Sequence, residues 1–276
     1  MNARLLLIGG HEDRQDHKAV LERFVALCGG AASRIAVITA ASKVGEKVWE
    51  TYDSAFAQLG VTQRHAVHVE SRDAANDSAA AARVAEADGI FISGGDQKRL
   101  LALVGGTALD AAMHVALSRG ACLAGTSAGA SAMSAHMLTR GHAEMAPEKD
   151  SVGVAAGFGF VQRMIVDQHF SQRHRLARLL SVVAQHPQLI GIGIDEDTAL
   201  LIEENSAVEV LGNGTVTIVD GRDMLTNVGQ VPAHAVPEML DVRLHILPSG
   251  TRHCVGSTSS GPATLADFLN LVTRIA

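Results

Sequence analysis

The chain has 276 residues, 47% of them hydrophobic and only 3% aromatic, with a formal net charge of -6. That length admits one large α/β domain or two small ones. The acidic balance excludes the basic face a nucleic-acid binder uses to displace counterions from phosphate, and so few aromatics predict an aliphatic core.

The first expected element is a buried strand, Leu5–Ile8, too short for a secretory apolar core. It runs into Gly9-Gly10-His11-Glu12-Asp13. His17–Cys28 carries apolar residues at 20, 21, 24, 25, 27 and 28, a helical stripe closed by Gly29-Gly30. Ile35–Thr39 reads as a strand, 46–59 as a helix, 64–69 as a strand, 78–87 as an Ala-rich helix and 89–93 as a strand broken by Gly94-Gly95. A helix over 108–117 and a very short strand over 122–124 follow.

The second half is less regular. The glycine-rich stretch 139–161 reads as a loop excursion, and Met164–Val166 as a strand ending in Asp167-Gln168-His169. Residues 172–185 suggest one helix with core positions 176, 179, 180 and 183. Ile190–Ile194 leads as a strand into Asp195-Glu196-Asp197. The runs 198–203, 207–211 and 216–219 look like antiparallel strands with an Asn213-Gly214 turn.

Strand–helix alternation with apolar strands predicts an α/β fold: three layers, a mostly parallel sheet with helices on both faces, and antiparallel strands added in the C-terminal half. No Pro/Ser-rich linker divides the chain, so residues 1–276 are expected to form a single domain. Cys28, Cys122 and Cys254 are odd in number and far apart, without a CxxC pair. They suggest neither a disulfide framework nor a zinc site, and fit a reducing, cytoplasmic setting. No run approaches the roughly 18 apolar residues of a membrane span.

In parallel sheets functional groups gather at the carboxyl ends of strands. Gly125-Thr126-Ser127-Ala128-Gly129 has the G-x-S-x-G form of a nucleophile elbow, placed after a short apolar strand and before an Ala/Ser/Met segment. The amide of Ala128 would open the next helix, where unpaired N–H groups favour an oxyanion. Gly94 or Gly95, with no side chain, offers a second donor from the neighbouring strand. A serine needs a base. Among 13 histidines, position favours His169, at the end of a strand. The acid that orients it is expected among Asp195, Glu196 and Asp197.

At these residues the sequence resembles the cyanophycinase family of serine peptidases. The matching segments are Gly9-Gly10 with Glu12-Asp13, Phe91 to Gln97, the elbow through Ala130, Asp167 to Leu179, Gly191 to Ala199, and Leu244 to Leu247. The resemblance runs in order along nearly the whole chain, and the stretch from Asp167 to Leu179 is its most specific part. It implies a class I glutamine amidotransferase-like fold, usually a homodimer. It also implies hydrolysis of cyanophycin, a poly-aspartate carrying arginine on each β-carboxyl, to β-Asp-Arg dipeptides. Carried over by position, it implies Ser127 as nucleophile, His169 as base and Glu196 as orienting acid, with Gln97, Asp167, Gln168, Arg173, Arg175 and Arg178 on the substrate. No metal or cofactor is implied. Arginines suit carboxylates, and Asp167 suits a guanidinium. If 172–185 were one regular helix, however, Arg175 and Arg178 would point away from Arg173. The family often has a third glycine where this chain has His11.

The order Ser…His…Glu differs from that of α/β-hydrolases, and an amidotransferase would place cysteine at position 127. A Rossmann nucleotide binder would need G-x-G-x-x-G after the first strand. The nearest rival reading is a peptidase-E-like dipeptidase on Asp-X or isoaspartyl peptides. A non-catalytic member of the fold is the other.

Overall fold

The structure is a computed structural model, and it describes residues 3–141, 145–256 and 269–275. The strands are β1 (Arg4–Ile8), β2 (Arg34–Ile38), β3 (Gln63–Val67), β4 (Gly89–Ile92), β5 (Cys122–Thr126), β6 (His136–Arg140), β7 (Gly153–Ala156) and β8 (Met164–Gln168). They continue with β9 (Ile190–Ile194), β10 (Thr198–Glu203), β11 (Ala207–Gly212), β12 (Thr215–Asp220), β13 (Leu225–Thr226), β14 (Met239–Leu240), β15 (Arg243–Pro248) and β16 (Arg252–Cys254). The helices are α1 (Ala19–Cys28), α2 (Gly45–Gln58), α3 (Arg72–Ala75), α4 (Ser78–Ala85), α5 (Gln97–Val104), α6 (Ala108–Ser118), α7 (Ala128–Ala132) and α8 (Leu176–Gln185).

The main sheet has eight strands in the order β16-β11-β10-β1-β5-β4-β2-β3. From β1 to β3 every pairing is parallel, and β10, β11 and β16 extend the other edge antiparallel. The strand period of two sorts its side chains cleanly. Leu6, Ile8, Ile35, Val37 and Phe91 face α1 and α2, whereas Leu5, Leu7, Ala36, Ile38, Ile90 and Ile92 face the opposite core. Each fully buried Leu or Ile contributes about 1.5–3 kcal/mol of transfer free energy. The core is not wholly aliphatic: Phe24, Tyr52, Phe56 and Phe91 form one ring cluster under α1 and α2.

A second sheet, β15-β12-β9-β8, packs with the helices of the opposite face. Three expectations are corrected. Asn213-Gly214 does not close a hairpin: β11 pairs with β10 and β16, β12 pairs with β9 and β15, so the turn carries the chain between sheets. The stretch read as a loop holds the β6–β7 hairpin, although residues 142–144 lie outside the described set.

The third correction bears on the site. The helix expected from residue 172 begins at Leu176. Ser171–Arg173 make one 3-10 turn, and His174 takes a left-handed conformation at φ 51° before α8 starts. Leu176 is 40% exposed instead of a core position, while Arg178 is buried. Among the described residues no single helix is long and apolar enough to cross a membrane.

Candidate active site

Three consecutive carbonyls beyond the middle of β1 organise the site. The Ile8 oxygen accepts the Ser127 amide at 2.9 Å, Gly9 accepts His169 at 2.8 Å, and Gly10 accepts Asp197 at 2.9 Å. Elements distant in sequence are thereby registered on one short rail. Gly10 is at φ 97°, and a Cβ there would sit 2.5 Å from the His169 ring, so the imidazole packs where only hydrogen fits.

Ser127 stands between β5 and α7 at φ 52°, ψ -112°. That strained conformation costs on the order of 1–3 kcal/mol and needs tight surroundings. Gly129 provides them, because a Cβ on it would lie 2.4 Å from the Ile92 carbonyl of β4. From this turn Ser127 Oγ reaches His169 Nε2 at 2.9 Å. His169 Nδ1 in turn meets Glu196 Oε1 at 2.6 Å. Burial lowers the His169 pKa below its usual value, and the charges of Arg173 and His11 act in the same direction, against Glu196. The imidazole is therefore neutral and able to accept a proton at neutral pH. The chain of hydroxyl, imidazole and carboxylate is the geometry in which a base can deprotonate a serine.

The acids flanking Glu196 have other partners. Asp195 accepts the Ser171 amide at 3.0 Å, the Thr215 amide at 3.0 Å and the Thr215 hydroxyl at 2.8 Å. Burial works to raise its pKa, but these bonds together hold it below the ordinary carboxylate value. Asp197 accepts the Asp13 amide at 2.8 Å and the Asn213 side-chain amide at 2.5 Å.

Two clefts meet at Ser127. One, of about 360 Å³, is lined by Gly95, Gln97, Ser127, Arg140, Gln168, Arg173, Arg175 and Arg178 among others. Because the chain breaks at His174, Arg173, Arg175 and Arg178 reach this one cleft, whereas on a continuous helix the cleft would have to wrap around it. Burial, together with Arg178 and Arg173, brings the Arg175 pKa down to about 10 against the pull of Asp167, so it stays charged. The second cleft, of about 230 Å³, holds His11, Glu12, Arg14, Tyr52, Gly94, Gly95 and Ser127. Gly94 lies against the serine, with a Cβ there 3.3 Å from that of Ser127. Ala128 is the fully buried first residue of α7.

Asp167 is not a cleft residue. It is fully buried behind the arginines, bonded to Arg178 Nε at 2.8 Å and to Arg175 Nη1 at 3.2 Å. The guanidinium it suits is the protein's own. Sequence reasoning missed Arg140, which sits in the stretch taken for a loop. It also missed the pair Glu12 and Tyr52: the buried Glu12 carboxylate accepts from the Tyr52 hydroxyl and, at 2.5 Å, from Thr126 beside the elbow. Tyr52 is the only tyrosine of the chain, the one signal available. A larger apolar cavity of about 580 Å³ lies away from Ser127, between α8 and β15.

Comparison with known proteins finds relatives along most of the chain. The cyanophycinase of Geminocystis herdmanii is 39% identical over 255 residues, covering 92% of this chain and 94% of that protein. That of Thermosynechococcus vestitus is 38% identical over 248 residues, covering 89% and 77%. Among solved structures, a peptidase from an acI-B1 actinobacterium superposes with a TM-score of 0.66 at 23% identity, over 92% of this chain and 97% of that one. A putative peptidase E from Listeria monocytogenes EGD-e gives 0.52 at 16% identity, over 77% and 99%. At such identities the two structures speak to fold alone, and they bear out the mixed α/β architecture. A model of the family described as Peptidase family S51 matches residues 5–210, a stretch that runs from β1 through the elbow, His169 and Glu196. With relatives this similar over most of its length, the chain belongs to peptidase family S51.

Proposed function

We propose that this chain is a serine-type exopeptidase that hydrolyses cyanophycin to β-Asp-Arg dipeptides through an acyl-enzyme. One observation carries the reading: the hydrogen-bonded series Ser127, His169, Glu196 opens onto a cleft that holds Arg140, Arg173, Arg175 and Arg178. Guanidinium forks suit the carboxylates that the linked arginines of the polymer leave free. The names of the relatives point the same way.

In this mechanism His169 Nε2 takes the proton of Ser127 as Oγ attacks the peptide carbonyl. Glu196 keeps the other ring nitrogen protonated and stabilises the imidazolium. The amide of Ala128, with that of Gly94 or Gly95, faces the developing oxyanion. His169 then protonates the leaving amine, and the C–N bond breaks. Water, deprotonated by the same imidazole, attacks the acyl carbon, and the serine leaves with its proton restored. Gln97, Gln168, Arg173, Arg175 and Arg178 hold the substrate, and Asp167 holds Arg175 and Arg178.

The chain works as one peptidase domain, since buried residues of both sheets share a single core cluster. Its three free thiols suit the cytoplasm. It pairs as a homodimer through the apolar face at β15, an edge strand with Leu244 48% and Ile246 59% exposed.

The test is an assay of purified protein on cyanophycin beside Asp-X and isoaspartyl dipeptides, with Ser127→Ala as control. Release of β-Asp-Arg that Ser127→Ala abolishes, in a protein whose circular dichroism is unchanged, is the expected result. Cleavage of dipeptides alone would transfer the chain to the peptidase-E-like reading, and full activity of Ser127→Ala would remove the serine mechanism.

A further inference from the structure

His11 occupies a position that the reaction above does not use. It follows Gly10 with a left-handed backbone at φ 50° and lies 67% exposed at the cleft mouth. Its Nδ1 is 3.4 Å from Glu196 Oε2, the carboxylate oxygen that His169 leaves unused. Two imidazoles therefore share one carboxylate, one ring buried and one open to solvent.

We infer that His11, His169 and Glu196 form an inhibitory binding site for a zinc-class divalent cation. One ligand atom from each lies within 4.8 Å of the others, and this is the only such group among the described residues. Tetrahedral zinc with Zn–N bonds near 2.0–2.1 Å sets neighbouring donor atoms about 3.3 Å apart and two bound imidazole rings about 5 Å apart, centre to centre. The observed separations are 2.6 Å and 3.4 Å from the histidine nitrogens to the carboxylate oxygens, with the rings 5.1 Å apart and perpendicular. His11 already stands at that spacing from Oε2, and the Glu196 carboxylate has to draw back from His169 Nδ1 by about 0.7 Å to admit the ion. Two nitrogens and an oxygen suit zinc, whereas magnesium and calcium prefer oxygen alone. Arg173 stands close enough to act on His169 and opposes any cation, and the Glu196 charge offsets it.

Occupancy would stop turnover through the tautomer. Free His169 carries its proton on Nδ1, toward Glu196, and presents the Nε2 lone pair to Ser127. Metal on Nδ1 needs the lone pair of Nδ1 itself, so the neutral ring must hold its proton on Nε2. The proton moves between ring nitrogens by way of solvent and none is lost, but Nε2 can no longer accept from the serine. The metal also takes Glu196 from its orienting role. The inhibition rests on the serine-peptidase reading; the occupancy does not.

Titrating zinc chloride calorimetrically into the intact protein, its Ser127→Ala variant and its His11→Gly variant separates the two. One site of equal affinity is expected in the first two, because Ser127 is no ligand. In His11→Gly, whose backbone suits φ 50°, affinity should fall at least about tenfold, the lower range for disturbing a metal site. His11→Asn, which also tolerates that backbone, should behave alike. Magnesium chloride should not bind. Micromolar zinc should inhibit hydrolysis reversibly by EDTA, and His11→Gly, scored against its own metal-free rate, should need at least tenfold more. No zinc site in the intact protein, or one unaffected in both His11 variants, would overturn the site. His11-dependent binding without inhibition of an active enzyme would overturn its inhibitory role. His11-dependent binding to a protein that hydrolyses nothing would leave the site standing and remove the proposed function instead.

Discussion

Arg178 donates through Nε to Asp167 Oδ2 at 2.8 Å, and the two side chains are 9% and 0% exposed. Arg175 reaches the same carboxylate at 3.2 Å, and Arg178 Nη1 also donates to the Gly141 carbonyl at 2.7 Å. One buried acid thus positions two arginines whose heads border the cleft. Removing one partner of such a pair leaves an uncompensated buried charge and costs about 3–5 kcal/mol. Asp167→Ala is expected to lose that much by urea denaturation. Among molecules still folded, KM for an anionic substrate should rise more than kcat falls. A variant as stable as the parent would show that the arginines need no anchor.

The elbow makes an independent steric prediction. Gly129→Ala places a methyl 2.4 Å from the Ile92 carbonyl, a backbone atom with nowhere to go. Overpacking of this kind costs about 1–3 kcal/mol. The larger effect should be on rate, because displacing the serine by about 1 Å lowers turnover roughly 10²-fold. Thermal denaturation and steady-state kinetics on one preparation measure both, and wild-type kinetics would mean that the turn absorbs the methyl.

These two cases mark how far the sequence reaches. Gly129 was legible because the elbow is local: a serine on a tight turn requires small neighbours two residues away. The parallel strands were legible for the same reason, as short apolar runs between helical stripes. What escaped depends on non-local pairing. Nothing near Asn213-Gly214 tells whether the strands on either side join one sheet or two. The helix period over 172–185 hides the left-handed His174 that turns Arg173, Arg175 and Arg178 into one cleft. Asp167 was expected to bind a guanidinium, and only burial decides that the guanidinium is internal.

Stability should fall in acid for a reason that Asp220 illustrates. Its carboxylate is 3% exposed and accepts two side-chain bonds from Arg222, at 3.0 Å and 2.8 Å. Burial alone would raise its pKa, but the bonds from Arg222 and the charges of Arg222 and Arg243 bring it below the ordinary 3.8. A folded value below the unfolded one contributes stability that is fully present above about pH 4 and is lost as pH falls through the folded value. Asp220→Asn should therefore be less stable than the parent at pH 7, and the gap should shrink toward pH 3. A gap that stays constant in denaturant titrations at the two pH values would remove Asp220 from the acid response.

The proposed dimer face can be tested without touching the cleft. Leu244 and Ile246 are both exposed on the edge strand β15, beside the exposed Leu176. Lysines at an edge both repel and resist pairing. L244K/I246K is expected to sediment as a monomer where the parent sediments as a dimer, with its fold retained. A monomeric parent, or a dimeric double variant, would place the contact elsewhere.

Three adjacent acids close β9, and their geometry assigns them three different tasks. Asp195 fastens Ser171 and Thr215, Asp197 fastens Asp13 and Asn213, and only Glu196 points at the His169 Nδ1. The division follows from the rail of β1: Gly10 takes the amide of Asp197, at φ 49°, which turns the preceding side chain inward. Glu196→Gln should keep the fold and lose about 10⁴ in kcat, because an amide in that place favours the wrong imidazole tautomer. Asp197→Asn should lower the melting temperature and leave kcat within about tenfold, since it loosens the loop that carries Asp13 without touching the imidazole. If Asp197→Asn were the inactive variant and Glu196→Gln the active one, the acid that orients His169 in solution would be its neighbour, and the register set by the β1 carbonyls would have to shift by one residue.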